Sequence, residues 1–149
     1  MRDEHTGAYA LAGGTVLLLV LFSSLNALGT ERWAALLLAP VLGRWGMTMA
    51  IVGCPYARPA GLGRDIKDHA GFTQALIATL TMAAAVAVLT WALRATTPLI
   101  ALLGATLVGL LSAAFVLRRI PGMTGDTYGA MSMLIETAVV LTFVAVPWR

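Results

Sequence analysis

Five long apolar stretches limit what this chain can fold into more than any other feature of its sequence. A bilayer core about 30 Å thick needs about 20 apolar residues of helix to span it, and each stretch reaches or approaches that length. Barrel strands are excluded because the stretches are continuously apolar instead of alternating. We therefore predict an all-α integral membrane helical bundle, a single transmembrane domain over residues 1–149, with spans at 8–28, 33–54, 73–93, 98–117 and 130–147.

The composition agrees with a membrane protein, because polar residues are too few to cover a soluble domain. Of the 149 residues, 59% are hydrophobic and 11% are charged, whereas soluble domains carry about 25% charged residues. This excludes an ordinary soluble domain, a disordered chain and a disulfide scaffold. Nucleic-acid binding is not expected either, because the ten Lys and Arg residues are spread over several loops. The single cysteine, Cys54, is interpreted as a small apolar residue near a helix end.

Basic residues are unevenly divided between the two ends of the predicted bundle. One end holds the N-terminus and the loops 55–72 and 118–129 with six Lys and Arg residues, and the other end holds three. The positive-inside rule therefore predicts that these two loops face the cytoplasm. Most of the acidic residues lie at the same end, so we expect any site to face the cytoplasm. His5 and His69 lie there too, without a metal-binding spacing.

The stretch 118–130 is the densest group of polar residues and glycines. Arg118 and Arg119 end one apolar run, while Thr124 and Asp126 precede the next, where a helix N-cap is expected. One interpretation is that Asp126 only caps the helix and the arginines reach to the membrane interface. The other is a phosphate and divalent-metal site, because guanidinium groups suit anionic oxygens and a carboxylate suits Mg²⁺. Spacing leaves both open.

The loop after the second span is a second candidate. Its residues 54–69 contain Pro55 and Pro59 near the start and continue through Gly61 and Gly63 into a stretch of mixed charge. Arg58, Arg64 and Lys67 are interpreted either as contacts to lipid headgroups or as binding groups for an anionic substrate. Composition does not decide between the two.

Two charged residues, Arg44 and Glu136, fall inside predicted spans, where a charge costs at least about 2.5–3.5 kcal/mol. The predicted helix ends place Glu136 about 9 Å and Arg44 about 15 Å below the cytoplasmic loops. Pro40, Gly43 and Gly46 flank Arg44 and suggest a bent or locally opened helix. The two charges either pair inside the bundle or line a cavity that reaches down from the loops.

Four stretches of the chain resemble the motifs of one family, cobalamin synthase, also called adenosylcobinamide-GDP ribazoletransferase. They follow one another in the same order as the motifs of the family. The most specific are residues 36–45, which end in Gly43-Arg44-Trp45, and residues 55–63, Pro-Tyr-Ala-Arg-Pro-Ala-Gly-Leu-Gly. Residues 118–119 with 122–130 and Glu136 resemble the C-terminal motif of the family, and residues 1–3 with 7–9 resemble a further segment. Together the four are distributed from residue 1 to residue 136 and so extend over most of the length of the chain.

The resemblance implies a Mg²⁺-requiring enzyme of the inner (plasma) membrane. Such an enzyme joins adenosylcobinamide-GDP to α-ribazole or its 5′-phosphate, giving adenosylcobalamin or its phosphate and releasing GMP. Phosphoryl transfer of this kind depends on charge neutralisation by a metal ion and basic residues. The expected partners are these substrates and the lipid bilayer. Whether the chain also forms a homo-oligomer is left open by the sequence. We assign catalytic roles to Asp126, Glu136 and Arg44, metal binding to Asp3 and Asp126, and substrate or phosphate binding to Arg58, Arg64, Lys67, Arg118 and Arg119.

The chain departs from the family pattern in two places. Family members carry a further N-terminal segment with an Asp-rich motif that has no counterpart here, and Glu4 and His5 replace the usual Ser and Arg after Asp3. We therefore expect the chain to correspond to the C-terminal portion of a longer family fold and to insert into membranes without making cobalamin by itself. The alternative is a non-catalytic membrane subunit, a truncated remnant or a small transporter.

Overall fold

The fold is a bundle of α-helices, as predicted. In a computed structural model, which describes residues 7–30, 32–60 and 62–146, five helices are long and apolar enough to cross a membrane. One short helix accompanies them, and no strand occurs within those ranges. The elements are α1 (Ala8–Ala27), α2 (Arg32–Gly53), α3 (Leu62–His69), α4 (Phe72–Leu93), α5 (Thr97–Leu117) and α6 (Gly125–Ala145).

The first four predicted spans match α1, α2, α4 and α5 to within one residue at each end, but the fifth is predicted to start too late. Helix α6 begins at Gly125, five residues before the predicted start. Thr124 is its N-cap: the Thr124 hydroxyl accepts from the Thr127 amide at 3.3 Å, and the Thr127 hydroxyl accepts from the Thr124 amide at 2.7 Å. Asp126 therefore lies in the first turn and is not the cap. Because of this reciprocal cap, the polar residues at the start of α6 are helical, although hydropathy assigns them to the loop.

The predicted loop 55–72 contains the helix α3, which is a correction to the sequence analysis. Asp65 lies in its first turn and Lys67 and His69 in its last, the arrangement that the helix dipole favours. The Lys67 ammonium also donates to the carbonyl oxygens of Ile51 and Val52 at 2.7 and 2.9 Å. These carbonyls belong to the last turn of α2, so Lys67 anchors α3 to the end of that helix.

Helix α6 lies at the centre of the bundle, where it packs against α2, α5 and α1. The approach of α2 is close because of two glycines. A Cβ at Gly43 would lie 2.6 Å from Glu136 Cγ, and one at Gly46 would lie 2.5 Å from Ile135 Cδ1. Small residues at such positions let helix backbones approach in membranes. Helix α2 is continuous through Pro40, so these glycines serve close packing instead of opening the helix.

The outer surface of the bundle is apolar, as a lipid-facing surface must be. Large hydrophobic side chains are exposed on every long helix, including Leu11, Phe22, Trp91, Leu103 and Leu110. The interior combines alanines with a larger number of bulkier side chains such as Leu38, Leu42 and Phe143. This distribution is the reverse of that in a soluble domain, and it agrees with burial in a bilayer.

The connections between helices differ in length at the two ends. The turns after α1 and α4 are short, and Arg94 adopts a left-handed conformation with φ 49° in the second of them. The connections from α2 to α4 and from α5 to α6 are longer and lie at the other end of the bundle. Both candidate loops of the sequence analysis therefore come from one end.

Candidate functional site

The two candidate loops are joined by their backbones. The Met123 amide donates to the Pro55 carbonyl at 2.8 Å, and the Ala57 amide donates to the Met123 carbonyl at 2.9 Å. These bonds form a parallel bridge between Tyr56 and Met123. We call residues 55–57 and 122–123 the loop clamp. It brings together stretches that are more than sixty positions apart in the chain and fixes the polar end of the bundle.

Gly122 is required for the loop clamp. A Cβ at this position would lie 2.7 Å from both the Ala57 nitrogen and the Tyr56 carbonyl carbon, and 2.8 Å from the Pro55 oxygen. All three atoms are backbone atoms, which cannot move aside without breaking the bridge. The neighbouring Met123 side chain is fully buried and holds this part of the loop in the core. Gly122, one of the glycines in the stretch 118–130, therefore has a defined contact.

Two tyrosines, one of them part of the clamp, pack against each other at this end of the bundle. The rings of Tyr56 and Tyr128 stack with centroids 6.3 Å apart and planes inclined by 21°. The Tyr56 hydroxyl also lies against the backbone of α3, since a Cβ at Gly63 would overlap it. Tyr56 thus contacts α3, α6 and the second loop at once, and it sets the position of all three.

Arg58 and Asp126 lie together on the outer side of the clamp. Their nearest atoms, Arg58 Nη2 and Asp126 Oδ2, are 3.8 Å apart, and the side chains are 64% and 92% exposed. An ion pair this exposed contributes little to stability, because water screens both charges. The carboxylate is consequently accessible to a cation, and the guanidinium to an anion. The predicted roles of the two residues in phosphate and metal binding stay predictions.

The other basic residues of the loop 55–72 have partners within the fold. Lys67 is held on the carbonyls that end α2. Arg64 pairs with Asp68 one turn later in α3, with Nε 2.9 Å from Oδ2. The roles of Arg64 and Lys67 in substrate binding stay predictions, and Arg58 is the basic residue of this loop that reaches Asp126.

Arg118 and Arg119 follow α5 at the same end of the bundle, and both are exposed. The Arg119 guanidinium lies 3.8 Å above the centre of the Phe115 ring, a cation–π contact that leaves its edges open. The pair adds two cations to the end of the bundle that carries Asp126 and Arg58. Its predicted role in phosphate binding is compatible with this placement.

Arg44 and Glu136 do not pair. Glu136 lies between α6 and α2, where its Oε1 accepts from the Ser132 hydroxyl at 3.0 Å and its side chain lies against Gly43. Arg44 is exposed and lines a groove between α2 and α4 together with Thr48 and Thr81. The two residues therefore sit on different faces of α2, and the cavity that they are expected to share is not formed by these side chains.

Glu136 also lies deeper than predicted. Because α6 begins at Gly125, Glu136 is eleven residues into the helix, about 16 Å at 1.5 Å per residue. Arg44 is nine residues before the end of α2 at Gly53, about 14 Å. Neither residue is part of the clamp, and their catalytic roles remain predictions.

The described residues offer Asp126 as the exposed carboxylate beside the clamp. Asp3, the other predicted metal ligand, lies outside the described residues. No group of three His, Cys, Asp or Glu side chains that could hold a metal ion occurs in the described ranges. A single carboxylate still fits Mg²⁺, because this ion keeps several waters and binds through one or two carboxylates plus substrate phosphates.

Tyr56 and Tyr128 are the residues of the site to which the sequence analysis assigned no role. A signal for them existed, since tyrosines concentrate where helices meet the membrane interface. Each also lies beside a glycine- or proline-rich stretch at the end of an apolar run. Their contact with each other was not accessible from the sequence, because Tyr56 follows α2 and Tyr128 opens α6.

Comparison with known proteins identifies relatives over almost the whole chain. A family model described as cobalamin-5-phosphate synthase matches residues 1–144. A protein named adenosylcobinamide-GDP ribazoletransferase from Desulforamulus reducens is 41% identical over 143 residues, which are 94% of this chain and 55% of the relative. Proteins of the same name from Stutzerimonas stutzeri and Geotalea daltonii are 37% and 31% identical, covering 95% and 100% of this chain and 56% and 59% of theirs.

The chain thus spans little more than half the length of the curated relatives that it matches. No solved structure is similar to it.

Proposed function

This chain belongs to the cobalamin-5-phosphate synthase family, and we propose that it forms the phosphate-handling part of an adenosylcobinamide-GDP ribazoletransferase. The proposed substrates are adenosylcobinamide-GDP and α-ribazole or its 5′-phosphate. The proposed location is the inner (plasma) membrane with the loop clamp at the cytoplasmic face, because the basic residues are concentrated at that end.

The observation that carries the proposal is the exposed Arg58–Asp126 pair on the clamp. Arg58 directly follows the clamp in the loop after α2, and Asp126 lies in the first turn of α6, three residues after Met123. The fold therefore holds a cation and a carboxylate 3.8 Å apart at the surface. A site for a pyrophosphate needs both groups, one for the anionic oxygens and one for the metal ion that binds with them.

In the proposed reaction, a hydroxyl of α-ribazole attacks the phosphorus that bears the cobinamide. A new P–O bond forms, the bond to the bridging pyrophosphate oxygen breaks, GMP leaves, and the hydroxyl proton passes to water or a base. Mg²⁺ held by Asp126 would supply neutralisation of the pyrophosphate charge. Arg58, with Arg118 and Arg119 at the same end, would bind and orient the phosphates, and orientation is a large part of catalysis in such transfers.

A chimera with a longer relative tests this proposal, because this chain spans little more than half the length of that relative. The matching part of the Desulforamulus reducens relative is replaced by residues 1–144 of this chain, the range that the family model matches. Membranes are assayed with adenosylcobinamide-GDP, α-ribazole and Mg²⁺ in a host that lacks its own synthase. We expect cobalamin formation by the chimera and a much lower rate on Arg58→Gln when adenosylcobinamide-GDP is limiting. An inserted, folded chimera with no activity would contradict the proposal.

A matched control keeps the Arg58 result specific. Arg64→Gln removes a guanidinium from the same loop, but one that is paired within α3. If Arg58 binds phosphate, Arg58→Gln should raise the KM for adenosylcobinamide-GDP far more than Arg64→Gln does.

A further inference from the structure

Arg44 is an unpaired charge near the middle of a membrane-spanning helix. It lies nine residues before the end of α2 at Gly53 and twelve after its start at Arg32, so it is about 14 Å from the nearer end at 1.5 Å per residue. The residue is exposed, and its guanidinium makes no hydrogen bond or ion pair within the described part of the chain. The apolar outer surface of the bundle thus contains an unpaired cation at membrane depth.

A cation in this position needs a protein environment. Charged side chains within transmembrane segments almost always face a bundle interior or a water-filled cavity, and arginines that extend to the interface lie near helix ends. Within the ranges that the structure describes, Arg44 meets neither condition. The face of the bundle that carries Arg44 is therefore expected to be covered in the assembled protein.

The groove around Arg44 has rigid walls and one group that is free to donate. The Trp45 indole nitrogen donates to the Thr79 hydroxyl at 3.2 Å, which holds α2 against α4 along the groove. Thr48 and Thr81 line the groove, and each hydroxyl donates to a carbonyl of its own helix at 2.9 Å. A guanidinium has five donors and no acceptor, so the partner that fits this groove is an acceptor. At membrane depth a carboxylate fits best, because it also neutralises the charge.

We propose that this groove, lined by Arg44, Thr48 and Thr81, is the docking surface for a further transmembrane helix that carries an Asp or Glu at the depth of Arg44. The helix would belong to the part of the longer family fold that the match does not cover. Nearly half of the Desulforamulus reducens relative lies outside the residues that match this chain, which is enough for several spans of about 20 residues. The inference uses the family membership of the chain and goes beyond its proposed transferase activity.

A second copy of this chain fits the groove less well. In a two-fold dimer formed through the groove, the same patch faces itself, which would bring two Arg44 side chains together at one depth. Among the described residues, the carboxylate at membrane depth is Glu136, and it packs against Gly43 between α2 and α6, away from the groove. A lipid acyl chain could fill the groove but offers no acceptor to the guanidinium.

Comparison of this chain with the chimera tests the proposal through stability. Arg44→Leu should leave the midpoint of SDS-induced unfolding unchanged in this chain alone, where the guanidinium has no partner to lose. In the chimera the same substitution should lower the midpoint, because it leaves a carboxylate buried without its cation. Arg44→Lys keeps the charge and should recover part of that loss. Arg94→Gln, which removes an exposed guanidinium in the short turn after α4, is the matched control and should lower neither midpoint.

Photocrosslinking in the chimera locates the partner helix. A p-benzoylphenylalanine at Thr81 should crosslink to the segment that the relative contributes, and protease sites at the junctions then separate that segment from residues 1–144. The same group at Leu107, an exposed position on α5, gives the background. The crosslinked helix should contain an Asp or Glu, and its replacement by Asn or Gln should be non-additive with Arg44→Leu in a double-mutant cycle.

Four results would overturn the proposal. An equal loss from Arg44→Leu in this chain and in the chimera would indicate a partner within the chain or a second copy, and no loss in either would indicate an arginine exposed to lipid. Crosslinking at Thr81 no stronger than at Leu107 would remove the docking surface, and so would a crosslinked helix without a carboxylate coupled to Arg44.

Two further comparisons keep the test decisive. If the Arg44→Leu chimera fails to insert, insertion of the Arg44→Lys chimera supports the charge pair, and failure of both contradicts it. None of the readouts uses turnover, so the two proposals fail separately. An inactive chimera with the crosslink and the stability loss removes the transferase alone, whereas an active chimera without them removes the docking surface alone.

Discussion

The backbone of Gly122 lies against that of Tyr56, with no space for a side chain between them: a Cβ would stand 2.7 Å from the Tyr56 carbonyl carbon. The same segment carries the bridge from Met123 to residues on either side of Tyr56. The positions of Arg58, which follows the clamp, and of Asp126, in the first turn of α6, therefore depend on the absence of one methyl group.

Gly122→Ala should open the clamp. Overpacking of this kind costs about 1–3 kcal/mol, and here the obstructing atoms are backbone. We expect a lower midpoint of SDS-induced unfolding and faster amide hydrogen exchange at Ala57 and Met123. Gly125→Ala is the matched control, since a Cβ there meets nothing within 4 Å. Equal effects of the two substitutions would show that the close approach has no energetic consequence.

Asp126→Asn should slow turnover in the chimera strongly without unfolding it. The substitution keeps the size of the side chain and removes the charge that we propose holds Mg²⁺, and Thr124, not Asp126, caps α6. We expect a loss of about 10²–10³ in rate at saturating Mg²⁺, with unfolding unchanged. Asp68→Asn, in the exposed pair of α3, is the control. Near-normal rates for Asp126→Asn would exclude a metal-binding role.

The loop clamp also predicts the sidedness of the loops. Single cysteines at Ala60 and Pro121, introduced after Cys54→Ala, should both react with an impermeant maleimide only from the cytoplasmic side, because the clamp places both loops at one end. A cysteine at Thr96, in the short turn at the opposite end, should react only from outside. Labelling of Ala60 and Pro121 from opposite sides is incompatible with the structure, and labelling of both from outside would reverse the proposed orientation.

Gly43 and Glu136 should behave as a coupled pair. A Cβ at Gly43 would lie 2.6 Å from Glu136 Cγ, so Gly43→Ala is expected to destabilise the bundle by about 1–3 kcal/mol. Shortening the neighbour by Glu136→Ala should recover part of that loss, which a double-mutant cycle of unfolding free energies measures. Additive effects of the two substitutions would show that Gly43 and Glu136 do not interact. Gly13→Ala in α1, where a Cβ meets nothing, should cost nothing.

Lys67→Met should release α3 from α2. Its ammonium donates to two carbonyls of the last turn of α2, and hydrogen bonds of charged groups are worth about 1.5–3 kcal/mol. We expect amide exchange in α3 to become faster, while Arg64→Gln changes it little. If Lys67 binds substrate phosphate as predicted from the sequence, the same variant in the chimera should also raise the KM for adenosylcobinamide-GDP; a change in exchange alone limits it to a structural role.

Much of the fold follows from local sequence properties. Transfer of an apolar segment into a bilayer depends on its own length and composition, so the four spans at 8–28, 33–54, 73–93 and 98–117 are predicted to within a residue. The two errors, the late start of α6 and the missing α3, both concern polar residues. Their helical state depends on a reciprocal cap at Thr124 and on the bond from Lys67 to another helix, and neither is visible in hydropathy.

The candidate site is likewise predicted in part from the sequence and determined in part by the fold. Residue type and position after apolar runs select Asp126 and Arg58, and the fold sets them side by side. Arg44 and Glu136 are expected from the sequence to pair or to share a cavity because both are charges at membrane depth. Helical rotation separates them, since Gly43 faces α6 and the next residue, Arg44, lies on the groove toward α4.

The sequence by itself determined that this chain is a helical membrane protein, where its long helices run and which end is polar, because each of these depends on residues close together in the chain. Only the tertiary structure decided that Met123 bridges to Tyr56, that Gly122 and Gly43 must lack side chains, and that the Tyr128 hydroxyl is left unpaired within the described residues. These features arise from contacts between residues far apart in the chain, and their geometry is set by how the helices pack against α6.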